Sequence, residues 1–146
     1  MDTLNTKPVG LIRRFIIMFY DAILLLALLF FASILVAVPF DISYDGHISP
    51  AYVLYIFYIH LVAYLFLAWC WTHGGQTLGS KTWKVKLVPD SGNHVTWLQA
   101  LLRYIGSLIC WGTFGLGFLW GYTNKQRRAL NDIISKTHLV RVNEQT

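Results

Sequence analysis

Three charged residues stand inside long apolar stretches of this chain, where their types and spacing could do chemistry. Arg14 and Asp21 lie seven residues apart at the start of the first stretch, and Arg103 lies near the start of the third. Seven residues are close to two helical turns, so Arg14 and Asp21 should face one side of a helix, with Asp21 roughly 10 Å deeper. Ionised groups are costly in an apolar medium and should find a partner or face water. We expect Arg103 to pair with Asp21, either to fasten two helices or to line an ion or substrate path.

The second apolar stretch offers a weaker candidate. His60 is followed one turn later by Tyr64, and we expect His60 to bond to a backbone carbonyl or to Tyr64; the alternative is a place on a pathway. The sequence shows no nucleophile–base pair, no metal-ligand cluster and no paired carboxylates in register. Cys70 and Cys110 have no partner at metal-ligand spacing. We therefore expect no enzyme activity, no metal and no cofactor.

The apolar residues that must position these groups fall in three blocks. Of the 146 residues, 55% are hydrophobic and 13% are charged, and the blocks cover residues 15–40, 51–71 and 97–122. Crossing a bilayer takes about 20 predominantly apolar residues. The sequence thus predicts an all-α membrane protein with two full transmembrane helices and a third hydrophobic segment. The first block is also longer than the roughly 7–15 apolar residues of a signal peptide, so we expect it to be a retained anchor.

The distribution of basic residues predicts an orientation. None of the 12 Lys and Arg residues lies between the first two blocks, where Asp41 and Asp45 stand instead. Because basic residues favour the cytoplasmic side, this pattern places the amino terminus and residues 73–96 inside. We expect a multi-pass protein of the cell (cytoplasmic) membrane with both ends in the cytoplasm.

The third block conflicts with a simple crossing. A single span would place the basic residues that follow it outside, against the same bias. The block is also interrupted by glycines that weaken a helix, namely Gly112, Gly115, Gly117 and Gly121. These features favour a broken or re-entrant segment that returns to the cytoplasm, and the alternative is one ordinary span with glycines at a helix contact.

Alternating residues outside the blocks predict a small cytoplasmic sheet. Residues 81–96 read as a hairpin around the turn at residues 89–93, and residues 137–142 read as a further strand. We expect a small cytoplasmic β-hairpin, or a three-stranded sheet in which residues 137–142 pair with residues 82–88. The expected cytoplasmic basic face comprises Lys81, Lys84, Lys86, Arg127 and Arg128.

Taken in order, four motifs resemble those of the RDD family of membrane proteins. They are Arg14-x6-Asp21, Gly75-Gln76-Thr77-Leu78-Gly79, Leu102-Arg103-Tyr104 and Gln126-Arg127-Arg128-Ala129-Leu130-Asn131-Asp132 with Thr137 five residues on. The resemblance covers residues 8–142 as a single domain. By motif position, the arginine and two aspartates that name the family are Arg14, Asp21 and Asp132. Two positions depart from the pattern: Asn131 stands where a histidine is common, and Ser80 separates Gly79 from the basic Lys81.

The resemblance implies a multi-pass membrane domain, with transport or cation exchange proposed for some members. Asp132 has two possible partners, the nearby Arg127 and Arg128 or the distant Arg14, and we favour Arg14.

The predicted function is a transport-related component that moves ions or small solutes, working as a homo-oligomer. The alternative is a non-transporting assembly or docking protein whose basic face binds a protein partner or anionic lipid. We expect no nucleic-acid partner, because the orientation in the bilayer already explains the basic charge.

Overall fold

The computed structural model describes residues 9–42, 46–92, 94–113, 117 and 128–142, which form five helices and two strands. In chain order these elements are α1 (Leu11–Ala37), α2 (Pro50–His73), α3 (Leu78–Thr82), β1 (Val85–Pro89), α4 (Trp97–Gly112), α5 (Leu130–Ile134) and β2 (Thr137–Arg141). We refer to α3, β1, α5 and β2 together as the sheet end of the molecule.

Helices α1 and α2 are long, apolar and largely unburied. They have 27 and 24 residues, so they extend about 40 Å and 36 Å, more than the roughly 30 Å of a bilayer core. Only 6% and 11% of their most apolar windows are buried, which distinguishes them from the core helices of a soluble protein. Helix α2 begins at Pro50, and the side chain of Ser49 caps it by accepting a hydrogen bond from the Tyr52 N–H. Two helices therefore have the length and composition needed to cross a membrane.

The sheet pairs β1 with β2 in antiparallel register, with Leu87 opposite Leu139. This confirms the predicted pairing between the two segments. Among the described residues of the range 81–96, the predicted hairpin is not formed, and only Val85–Pro89 is a strand. Lys81 and Thr82 belong to α3, and Thr96 caps α4 in a reciprocal capping box with Gln99. Both ends of the expected hairpin therefore belong to helices or to their caps.

The sheet packs on the first turns of α1 and against the residues that follow α2. Val9, Ile17 and Val85 form a buried apolar cluster there. Gly75 follows α2 and runs against β1, where its carbonyl accepts a hydrogen bond of 2.6 Å from the Leu87 N–H. Its φ is +66°, and a Cβ would lie 2.6 Å from the Leu87 oxygen. Position 75 therefore requires glycine, both because of its positive φ and because a side chain would collide with β1.

Helix α4 packs against α5 at Gly106, where a Cβ would lie 3.0 Å from the Asn131 Cα. Gly117, beyond the end of α4, lies against Cys110, so the chain is again beside α4 at this point. The predicted return within residues 97–122 falls largely on residues 114–116 and 118–122, which lie outside the described residues.

We expect Gly75→Ala to destabilise the protein more than Gly92→Ala. Both glycines have positive φ, but nothing lies within 4 Å of a Cβ at Gly92. Gly92→Ala should cost about 1 kcal/mol of unfolding free energy through the backbone alone. Gly75→Ala should cost about 3 kcal/mol, because it adds a collision with backbone. Thermal unfolding in detergent micelles measures both, and equal losses would contradict the close approach of Gly75 to β1.

Candidate functional site

Asp132 is the most enclosed charged group among the described residues, and its carboxylate contacts two arginines. Its side chain is 0% exposed. One guanidinium N–H of Arg14 donates to Oδ2, and one of Arg103 donates to Oδ1 at 2.6 Å. The Ala129 N–H also donates to Oδ2, at 3.2 Å. The carboxylate thereby connects α1, α4 and the start of α5.

The charges around Asp132 keep it ionised. Burial alone would raise the pKa of the Asp132 carboxyl, but the guanidiniums of Arg103 and Arg14 outweigh burial and hold that pKa below its ordinary value. Both arginines are themselves 6% exposed. Each of the three groups therefore depends on the others for compensation of its lost hydration.

Arg103 is held in place by contacts beyond Asp132. The same guanidinium nitrogen donates to Thr137 Oγ1 at 3.0 Å, at the first residue of β2. The Thr137 and Ser135 hydroxyls are 2.7 Å apart, which gives a short buried chain of polar groups. On its other side, the Arg103 guanidinium lies 5.5 Å from the centroid of the Trp71 ring. Arg103 is thus fixed between α2, α5 and β2.

Asp21 has different partners from those expected. Its carboxylate accepts a hydrogen bond of 2.5 Å from Thr77 Oγ1 and one of 2.9 Å from the Gly79 N–H. A Cβ at Gly79 would lie 2.8 Å from Asp21 Oδ1 and 2.9 Å from the Ile17 carbonyl oxygen. Gly79 therefore allows α3 to approach α1 closely enough for the backbone to bind the carboxylate. Thr77 also caps α3, through the Ser80 N–H.

The predicted ion pair between Asp21 and Arg103 is wrong. No hydrogen bond or ion pair joins these two described side chains, and Arg103 binds Asp132 instead. The reason is the packing of α5 on α4 at Gly106, which brings the Asp132 carboxylate to Arg103. The favoured long-range partner of Asp132, Arg14, is in contact with it.

A cavity of about 180 Å³ lies between these two groups of polar residues. Asp21, Arg14 and Arg103 reach its wall, together with Ser107 and Asn131. A water occupies about 30 Å³ of liquid, so the cavity has room for several waters or one small solute. Sequence reasoning did not identify Ser107 or Asn131 as site residues. For Ser107 the sequence does carry a signal: it follows Arg103 by one helical turn, so both side chains lie on the same face of α4.

The side-chain oxygen of Asn131 accepts no hydrogen bond in the described structure. The Ser107 hydroxyl donates to the Arg103 carbonyl at 2.8 Å, so its oxygen must accept from Asn131 Nδ2 at 3.1 Å. This fixes the amide orientation and leaves Asn131 Oδ1 buried without a hydrogen-bond partner in the described structure. The cavity wall thus offers the Asp21 carboxylate to a ligand that donates hydrogen bonds, whereas Asn131 Oδ1 is closed off from it.

Comparison with known proteins assigns the chain to a family. The model of the RDD family matches residues 8–136. This chain belongs to the RDD family. No curated protein and no solved structure matches it. Together with the two long apolar helices, membership indicates that this RDD protein is a membrane protein. Of the three residues that the resemblance matches to the family's signature, Arg14 and Asp132 contact each other, whereas Asp21 binds Thr77 and Gly79.

The remaining candidate residues of the RDD chain lie apart from the cavity. His60 Nδ1 is 2.9 Å from the Ile56 carbonyl oxygen, a local contact one turn away. Tyr64 donates to the Trp97 carbonyl at 3.3 Å, and its ring is 5.8 Å from that of Tyr104. Neither residue borders the cavity.

The predicted basic face is partly exposed at the sheet end. Lys81, Lys84 and Lys86 are exposed. Arg128 forms an ion pair of 2.8 Å with Asp90, and Arg127 lies outside the described residues. Partial burial would raise the pKa of the Asp90 carboxyl, but hydrogen bonds from Arg128 and His138 and their charges lower it below its ordinary value.

We expect Asp132→Asn to destabilise the protein far more than Asp90→Asn. Asp132→Asn leaves two buried guanidiniums without an opposite charge, and this kind of loss costs about 3–5 kcal/mol of unfolding free energy. Asp90→Asn breaks a partly exposed pair worth about 1 kcal/mol or less. Unfolding midpoints in detergent measure the difference. Similar small losses for the two variants would contradict the buried ion pairs.

The depressed pKa of Asp132 also predicts a loss of stability in acid. Because the folded pKa lies below the unfolded value of about 4, the stabilisation is complete above that value and is lost as the pH falls through the folded pKa. Melting temperatures between neutral pH and about pH 3 should therefore fall in the wild type. The fall should be shallower in Asp132→Asn and should nearly match the wild-type fall in Asp90→Asn. A wild-type curve parallel to that of Asp132→Asn would contradict this assignment.

Proposed function

We propose that this RDD protein is a transport-related component of the cell membrane that moves an ion or small solute, with Asp21 and Arg103 on the pathway. The observation that carries the proposal is that both side chains line the cavity of about 180 Å³ between α1, α2 and α4. A mostly apolar cavity with a few ionisable side chains in its wall is a usual setting of a solute site in a membrane protein.

In this proposal Asp132 has a structural role and Asp21 has the role on the pathway. Asp132 is enclosed and is fully engaged by two arginines. Asp21 is half-buried, lines the cavity and forms no ion pair among the described residues. A carboxylate has about four lone-pair sites, and Thr77 and Gly79 use two of those of Asp21. Asp21 can therefore accept hydrogen bonds from a solute or bind a cation while it holds α3.

We further propose that both ends of the chain lie in the cytoplasm and that the third segment returns there. The pairing of β1 with β2 supports this, because paired strands must lie on one side of a membrane. The position of Gly117 beside Cys110 supports a reversal after α4. The absence of Lys and Arg between α1 and α2 supports a cytoplasmic location of the sheet end.

Assembly of several copies fits the same proposal. Two candidate spanning helices are few to enclose a pathway alone, and symmetric homo-oligomers are a common solution. The alternative function, docking of a protein partner through the basic face, draws its support from the exposure of Lys81, Lys84 and Lys86.

Flux through proteoliposomes tests the transport proposal. We expect ion flux, measured separately for sodium, potassium and protons, to be lost in Asp21→Asn, because the neutral amide keeps the size of the side chain but removes its charge. Asp41→Asn, at the opposite end of α1, provides a matched control and should keep wild-type flux.

The unfolding midpoint of each variant shows whether the fold is retained. Unchanged flux in a folded Asp21→Asn protein would contradict the role of Asp21. Absence of flux for every ion in the wild type would contradict ion transport and favour the docking alternative.

A further inference from the structure

A second pocket, at the sheet end, is basic rather than mixed in charge. This groove has a volume of about 360 Å³ and is lined by Arg13, Thr82, Trp83, Lys84, Arg141 and Val142. Three segments that are distant in sequence each contribute one cation: the first turn of α1, the connection between α3 and β1, and the end of β2. The described residues that line the groove include no carboxylate. The groove therefore concentrates positive charge.

The donors of the groove are arranged around an aromatic ring. The Arg13 guanidinium lies 5.7 Å from the centroid of the Trp83 ring, a cation–π contact that holds its plane in place. The guanidiniums of Arg13 and Arg141, the first of them fixed on the ring, suit an oxyanion such as phosphate.

The position of the groove indicates where that phosphate comes from. Arg13 lies in the first turn of α1, and the neighbouring side chains on the same helix are apolar and open, with Ile12 79% and Phe15 45% exposed. Leu78, on α3, is 56% exposed. The groove thus lies at the boundary between the open apolar surface of α1 and the polar sheet end. Trp and Arg commonly occupy this level in membrane proteins, beside the lipid headgroups.

We propose that this groove binds the phosphate of an anionic lipid headgroup, with the guanidiniums of Arg13 and Arg141 contacting the phosphate oxygens and the Trp83 ring holding Arg13 in place. The proposal rests on the membrane location given above and is independent of transport. It places the lipid on the same side as the sheet, where it would bridge α1 and β2 from outside the protein core.

Lipid binding to the full-length protein in detergent tests this proposal. Native mass spectrometry with added phosphatidylglycerol or phosphatidylcholine should show preferential binding of phosphatidylglycerol by the wild type. The double variant Arg13→Gln/Arg141→Gln should lower that affinity by about fivefold for each cation removed. The matched control Lys81→Gln/Lys86→Gln removes two exposed lysines that do not line the groove and should leave the affinity within about twofold of the wild type.

Trp83→Phe provides a second variant: it keeps an aromatic ring beneath Arg13 and removes only an N–H that is closed off from the groove, so it should leave the affinity within about twofold of the wild type. The unfolding midpoint verifies the fold of every variant. Equal binding of the two lipids, or equal losses in the groove and control variants, would overturn the proposal. Release of bound phosphatidylglycerol by inorganic phosphate would assign the groove to a free anion and would also overturn it.

Discussion

The architecture of this RDD protein depends on the neutralisation of buried charge. Arg14 and Arg103 enter the packed region from α1 and α4, and Asp132 is the carboxylate that both contact. Ionised groups lose hydration when buried, and this cost is offset only when opposite charges and hydrogen bonds are well placed. The orientation of α5 and the start of β2 follows from this constraint. The short C-terminal elements are held by charge as much as by apolar contact.

A second polar connection acts on the other side of the cavity. Asp21 binds Thr77 and Gly79 and so docks α3 on α1, in place of the arginine that its depth suggested. Since α3 leads directly into β1, this contact also sets the position of the sheet. The two signature aspartates therefore organise separate parts of one cavity wall.

Sequence reasoning predicted what depends on local patterns. The helices α1 and α2 follow from uninterrupted apolar runs, and the strands β1 and β2 follow from alternation. It failed where a choice depended on packing between distant segments. The sequence offers Arg103 two carboxylates as ion-pair partners. Arg103 binds Asp132 because α5 packs on α4 at Gly106. Alternation favours strands for residues 81–82 and 94–96, whereas capping by Thr77 places residues 81–82 in α3 and Thr96 is the N-cap of α4.

The antiparallel pairing of β1 with β2 has a consequence for synthesis of the chain. About fifty residues separate the strands, and all of α4 lies between them. During translation β1 keeps an open edge until residues 137–141 leave the ribosome, and an open edge can pair with other chains. The same late segment carries Asp132, so the two arginines also remain uncompensated until then. A nascent chain that stalls before residue 128 should therefore be a target for membrane quality control.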